Sequence, residues 1–111
     1  MKLTWAVLIL GTGVLAAAGM FSEQARSDDK SAAIYKQKCA SCHGPDGKGD
    51  TAAGKAMKLR DLSSEDVQKM SDSDLGAFIS GGKGKMPPFK TLTPDEVKGL
   101  VVFVRSIGTK K

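Results

Sequence analysis

Two cysteines and the only histidine of the chain lie within five consecutive residues, Cys39-Ala40-Ser41-Cys42-His43. On a helical turn, side chains three positions apart fall on the same side, so both thiols can reach one bound group. This spacing is the attachment pattern of a c-type haem, in which Cys39 and Cys42 form thioethers with the porphyrin. His43 then serves as the fifth iron ligand. The sequence therefore predicts one covalently bound haem c.

Three other sites use the same residue types, and each lacks something here. A thioredoxin-like redox pair requires a surrounding βαβ pattern, which the sequence does not have. A zinc site requires a fourth ligand, but the chain has only two Cys and one His. A disulfide between Cys39 and Cys42 suits an exported protein, yet it leaves His43 without a role. Haem is the interpretation that uses all three residues.

The second axial ligand is expected from a loop near the C-terminus, Gly84-Lys85-Met86-Pro87-Pro88. A thioether ligand must be held by a rigid, extended backbone, and two prolines directly after Met86 provide one. Met57 and Met70 are the alternatives. Met57 adjoins a lysine-rich stretch, and Met70 belongs to a predicted short helix, where methionine more often fills the core. We therefore expect His43 and Met86 to be the axial iron ligands.

Short helices separated by glycine-rich loops must position these residues. A first helix is expected over residues 28–41, because Ala32, Tyr35, Cys39 and Cys42 recur at helical spacing and should face the haem and the last helix. A glycine-rich loop over residues 44–54 should wrap the cofactor edge.

Three further helices have capping signals at their N-termini. The serines and acids at 63–66 predict a short helix to about residue 69, and those at 71–74 predict another that ends at 81–82. Thr93-Pro94-Asp95-Glu96 opens a last helix that Gly108 ends. Phe103 is expected to contact the first helix. The buried stripe of the last helix is predicted to be Val97, Leu100, Val101, Val104 and Ile107.

The N-terminus is typical of a targeting segment. Lys2 precedes an uncharged stretch over residues 5–21, and Ala16-Ala17-Ala18 matches a signal-peptidase pattern. We expect a signal peptide over residues 1–18, a linker over 19–27, a haem domain over 28–108 and a tail over 109–111. The alternative is an uncleaved membrane anchor through about residue 21. Both place the domain in the periplasm, either free or anchored to the membrane.

The formal net charge of +5 bears on partners. Exposed cations near a haem can steer an acidic partner surface, although they also serve simply to keep a small protein soluble. Nucleic acid is not an expected partner, because the lysines form no run and stacking aromatic residues are scarce. The lysines that flank segments expected to border the haem are Lys36, Lys38, Lys48, Lys83, Lys85 and Lys90.

The chain resembles a small monohaem class I c-type cytochrome of the bacterial periplasmic kind. The resemblance depends on Cys39-x-x-Cys42-His43-Gly44, Asp46-Gly47-x-Gly49, Gly84-Lys85-Met86-Pro87 and Val104-Arg105-Ser106-Ile107. It implies an all-α fold of about four short helices around one covalent haem.

The same resemblance implies one-electron transfer between redox proteins rather than enzyme catalysis. The alternatives are a haem sensor or enzyme with an open iron site, and a dedicated cytochrome subunit of a dehydrogenase or oxidase.

Overall fold

The computed structural model describes residues 18–109, and this part of the chain is helical without any strand. Within residues 18–109, one isolated antiparallel bridge joins Lys83 to Met86. The all-α prediction is therefore confirmed for the described residues. The helices are α1 (Ala18–Lys38), α2 (Ala40–His43), α3 (Ala52–Met57), α4 (Glu65–Gln68), α5 (Asp72–Gly81) and α6 (Pro94–Thr109).

Helix α1 begins at Ala18, ten residues before the expected start at residue 28, and it ends at Lys38. That predicted start was wrong, because residues 18–27 contain no proline and several good helix formers, so extending the helix costs little. The segment predicted as a linker is thus helical in backbone. Residues 1–17 of the predicted signal peptide and the last two residues of the predicted tail lie outside the described residues. Between residues 18 and 109, no helix is long and apolar enough to span a membrane.

The C-terminal helix packs against α1 through small and aromatic residues. A Cβ on Gly99 would overlap Ser31 Oγ, so the two helices approach closely where these residues meet. The Tyr35 and Phe103 rings lie 4.6 Å apart between centroids, which confirms the contact predicted for Phe103. Ala32 is exposed, contrary to prediction. The buried face of α1 runs instead through Ser31, Ile34 and Tyr35, which follow the i, i+3, i+4 pattern of one helix face.

Helix α6 begins as the sequence predicts. Thr93 Oγ1 accepts a hydrogen bond from the Glu96 backbone N–H at 3.1 Å, and Glu96 Oε1 accepts one from the Thr93 backbone N–H at 2.9 Å. This reciprocal pair is a capping box, with Pro94 at the first helical position. The helix continues one residue past Gly108. Its predicted stripe is confirmed: Leu100, Val101, Val104 and Ile107 are buried, and Val97 packs against them.

The two short helices before α6 also start at their predicted caps. The Ser64 side chain accepts a hydrogen bond from the Val67 backbone N–H, and the Ser71 side chain accepts one from the Asp74 N–H. Val67 from α4 and Leu75 and Ile79 from α5 are buried in the same core as the α6 stripe. Helices α4 and α5 therefore share one core with α6.

Helix α3 occupies part of the segment predicted to be a loop over residues 44–54. Thr51 caps it, because its side chain accepts a hydrogen bond from the Gly54 N–H at 2.8 Å. The Thr51 hydroxyl donates in turn to the Cys42 carbonyl at 2.7 Å. The Thr51 cap is local, but the glycine-rich composition of residues 44–54 predicted a loop.

Candidate haem site

The two cysteines and the histidine lie on one continuous helical turn. The Cys39 carbonyl accepts hydrogen bonds from the backbone N–H groups of Cys42 at 3.2 Å and of His43 at 2.9 Å. Both thiols are partly buried and unbonded to each other. No disulfide joins Cys39 to Cys42. Both free thiols lie on the same turn, which is the arrangement that attachment of one haem requires.

The backbone around this turn is fixed by hydrogen bonds from more distant residues. The buried Tyr35 hydroxyl donates to the Gly44 carbonyl at 2.6 Å. The Gly49 backbone N–H donates to the His43 carbonyl at 2.7 Å. The pKa of Tyr35 is raised to about 12, mainly by burial, so the hydroxyl keeps its proton and remains a donor at physiological pH. These contacts hold the His43 backbone in one position.

An apolar cavity of about 360 Å³ lies beside this turn. Cys39 and His43 line one side of it, and Met86 lines it from the loop after α5. Cys42, on the same turn, is not among the lining residues. The structure therefore brings three of the four predicted site residues to one cavity and places the fourth next to them. The apolar lining consists of Leu59, Leu62, Val67, Leu75, Phe78, Ile79, Leu100 and Val104.

Burial shifts the pKa of two groups in this site, His43 and Cys39. It lowers the pKa of His43, because the charged imidazolium loses its hydration in the apolar surroundings. His43 is therefore neutral near pH 7, and the neutral imidazole is the form that ligates a metal. Burial also raises the pKa of the Cys39 thiol, with a smaller opposing effect from Lys38.

The loop that carries Met86 folds back on itself as a tight turn. Lys83 and Met86 exchange backbone hydrogen bonds of 3.1 and 3.0 Å, and the Phe89 N–H donates to the Ile79 carbonyl at 3.1 Å. Gly82 begins the turn with φ 69° and ψ 170°, a conformation open almost only to glycine. A Cβ on Gly82 would lie 2.6 Å from the Met86 carbonyl oxygen. The loop is thus held rigidly, as expected for a ligand-bearing segment.

The two alternative methionines differ in their placement. Met57 is the last residue of α3 and is not among the residues that line the cavity. Met70 does line it, from the segment between α4 and α5. The sequence predicted Met70 to lie in a short helix as core filler. The helical placement was wrong, because α4 ends at Gln68, but Met70 is packed against the core as predicted. Its presence in the cavity gives the site a second thioether.

Three cations lie among the lining residues: Lys58, Arg60 and Lys83. All three are exposed at the residue level, and Lys83 Nζ lies 5.0 Å from the centroid of the Phe78 ring. Of the six lysines expected to flank the haem, only Lys83 lines the cavity. Lys58 and Arg60 were missed, because α3 and the segment after it were not anticipated in their observed positions.

These residues fit a haem. An imidazole and a thioether are the iron ligands of electron-transfer haems, and the paired thiols suit two thioether bonds. The apolar walls suit the porphyrin plane, and the cations suit its carboxylate groups. Among the described residues, His43 Nδ1 is buried without a hydrogen-bond partner. Iron ligation would use the other ring nitrogen, Nε2, and the fit of the site to a haem therefore depends on the donor set and the apolar walls.

Comparisons with known proteins point to one family. The family described as cytochrome C oxidase, cbb3-type, subunit III matches residues 26–104. Cytochrome c6 of Anabaena variabilis is 38% identical over 74 residues, which cover 66% of this chain and 83% of the relative. Cytochrome c6 of a Nostoc species is 33% identical over 107 residues, which cover 94% of this chain and 92% of the relative. The solved structure of the c-type cytochrome KustC0563 is 39% identical and superposes with a TM-score of 0.64. The match covers 69% of this chain and 95% of the solved chain.

Proposed function

Because this chain belongs to the cytochrome c family, as a small class I c-type cytochrome, we propose that His43 and Met86 are the axial ligands of its haem iron. Cys39 and Cys42 would be the thioether attachment sites. The protein is a haem-based electron carrier with one covalent haem c, and it is not an enzyme. The observation that supports the ligand assignment is the placement of His43 and Met86 on the same apolar cavity.

The haem supplies reversible exchange of one electron between the ferric and ferrous states of its iron. The residues of the chain set how readily that exchange occurs. A soft Met86 sulfur favours the ferrous state, and apolar walls such as Leu75 and Leu100 disfavour the additional positive charge of the ferric state. Both effects raise the reduction potential. The rigid turns at His43 and Met86 keep the protein geometry alike in the two states, which suits rapid electron transfer.

The ligand assignment is tested by replacing the two cavity methionines separately. Met86→Ala should retain the attached haem, lower the reduction potential and allow carbon monoxide to bind the reduced protein. Met70→Ala removes a thioether from the same cavity and is the matched control, which should retain a closed, low-spin site. Unchanged optical spectra in Met86→Ala, or an opened iron in Met70→Ala alone, would overturn the assignment.

The physiological partners are redox proteins. We propose that an acidic face of such a partner docks at the cations Lys58, Arg60 and Lys83, which border the cavity. Paired opposite charges raise association rates at low ionic strength, and salt screens them. Exchanging Lys83 for Gln should therefore reduce both the rate of electron transfer to an acidic acceptor and its dependence on salt. Exchanging Lys69, which is paired with Glu65 on α4, should change neither.

We also propose a periplasmic location, with residues 1–18 removed as a signal peptide and a membrane tether as the alternative. Lys2, the uncharged stretch and the alanine pattern support this proposal. Spectra of separated periplasmic and membrane fractions test it. A c-type spectrum in the periplasmic fraction supports cleavage, and one confined to membranes supports the tether.

A further inference from the structure

Arg105 lies on α6 and bonds to the segment that joins α4 to α5, more than thirty residues away in sequence. We propose that Arg105 is a positioning residue for the haem cavity, which together with Gln68 holds the Val67–Met70 wall of the cavity against α6. This inference rests on the proposed function, because it concerns the environment of the bound haem.

The Arg105 guanidinium uses its planar shape to reach three acceptors at once. Nη1 donates to the Gln68 carbonyl at 2.8 Å, and Nη2 donates to the Met70 carbonyl. Nε and Nη2 both donate to Asp72 Oδ1, at 3.1 and 2.9 Å. Gln68 is the last residue of α4, so its carbonyl has no partner within that helix, and Met70 lies two residues further along, in the segment between α4 and α5. Asp72 is the first residue of α5, so Arg105 joins the end of one helix to the start of the next.

Gln68 completes the attachment from the opposite direction. Its side-chain Nε2 donates to the Leu62 carbonyl at 2.7 Å and to the Val104 carbonyl at 3.1 Å. Space for this side chain exists because residue 108 is a glycine. A Cβ on Gly108 would lie 2.5 Å from Gln68 Cδ. We call Gln68, Arg105, Asp72 and Gly108 the clasp.

The clasp residues are near neighbours in the chain of residues that line the cavity. Val67 and Met70, which flank Gln68 along the chain, line the cavity on one side of the clasp. Val104, which precedes Arg105, lines it from α6. The spacing of these walls is therefore set by the bonds between Gln68 and Arg105 and their carbonyl acceptors. The clasp residues themselves are not among the lining residues, so they would act on the haem only through the walls.

Helix α4 has only four residues, too few to maintain this wall by its own backbone bonds. Without the clasp, two carbonyls of the α4–α5 segment would require water, and the wall would separate from α6. Water beside the iron would stabilise the ferric charge and lower the reduction potential. A loosened wall on the Met70 side would also allow added ligands to reach the iron faster.

Arg105→Lys tests the inference while keeping the charge of the side chain. Lysine has no planar fork and cannot bond all three acceptors together. Gly108→Ala is a second, independent variant, because it displaces Gln68 and leaves Arg105 unchanged. Lys69→Met is the matched control: Lys69 directly follows α4, and its replacement breaks an exposed ion pair with Glu65 while leaving the hydrogen bonds of the clasp in place.

Three properties of the holoprotein are measured well below its unfolding temperature: reduction potential, the rate of imidazole binding to the ferric iron, and hydrogen exchange of the amides at 67–72. In Arg105→Lys and Gly108→Ala we expect a lower potential, faster amide exchange and imidazole binding accelerated about tenfold, since loss of a charge-assisted hydrogen bond is worth about that factor. Lys69→Met should match the wild type in all three.

The inference is overturned if Arg105→Lys retains the wild-type potential and imidazole rate, even if its thermal stability falls. If Arg105→Lys does not yield folded holoprotein, Gly108→Ala decides by the same criteria. Failure of the proposed function would look different. In that case the wild-type protein itself would bind carbon monoxide, or Met86→Ala would have the same spectrum as the wild type.

Discussion

The turn that carries Met86 should be far more sensitive to a methyl group at Gly82 than at Gly84. Both glycines have positive φ, 69° and 58°, so alanine is disfavoured at each by its backbone conformation. They differ in their surroundings. A Cβ at Gly82 would lie 2.6 Å from the Met86 oxygen and 2.7 Å from the Pro88 nitrogen, whereas a Cβ at Gly84 has nothing within 4 Å.

The expected magnitudes follow from that difference. Gly84→Ala should lower the free energy of unfolding by about 1–2 kcal/mol, the cost of a left-handed conformation for a residue with a Cβ. Gly82→Ala should cost about 3–5 kcal/mol, because the strain of its conformation adds to overlap with backbone that cannot rotate away. Part of this overlap can be relieved only by moving Met86, so the proposed bond between the Met86 sulfur and the haem iron should weaken as well.

Guanidinium unfolding of the holoprotein measures the first effect, and the visible absorption expected of the proposed Met86–iron bond measures the second. Gly84→Ala should keep that absorption. Gly82→Ala should lack it, or should lose it on raising the pH at a lower pH than the wild type does. Equal unfolding free energies and unchanged absorption in both variants would refute the view that Gly82 is required by contact with the Met86 turn.

Two further predictions concern α6. Leu100, 2% exposed, lines the cavity, so Leu100→Ala should cost about 3 kcal/mol of unfolding free energy. Val102, 53% exposed on the same helix, is its control and should change stability by no more than about 0.5 kcal/mol on replacement by Ala. The hydrogen bond from the Thr93 N–H lowers the pKa of Glu96 from its ordinary value of 4.5. The charged carboxylate therefore stabilises the folded state at pH values above 4.5. The stability difference between wild type and Glu96→Gln, measured by urea unfolding, should therefore shrink as the pH falls through the lowered pKa, and a constant difference would contradict it.

Local sequence determined those parts of the protein whose physical cause is local. Ser64, Ser71 and Thr93 started their helices where predicted, because a side-chain cap bonds N–H groups only two or three residues away. The stripe of α6 was equally readable, since burial on one helix face follows the 3.6-residue period. The Cys-x-x-Cys-His spacing predicted the haem for the same reason, because the geometry of the attachment site is contained within one helical turn.

Tertiary structure decided the features that depend on contacts between distant residues. The Thr51 hydroxyl that caps α3 also donates to the Cys42 carbonyl nine positions earlier, and only the fold brings these two groups together. The rotation of α1 that buries Ser31 and exposes Ala32 is set by where α6 crosses it.

The roles of Met70 and Arg105 likewise appear only after folding. Packing of the α4–α5 segment on α6 brings Met70 to the cavity, and it brings Arg105 to carbonyls and a carboxylate 33 to 37 positions away. No sequence pattern specifies such partners, because carbonyl acceptors occur at every residue and only the fold selects which of them a guanidinium meets.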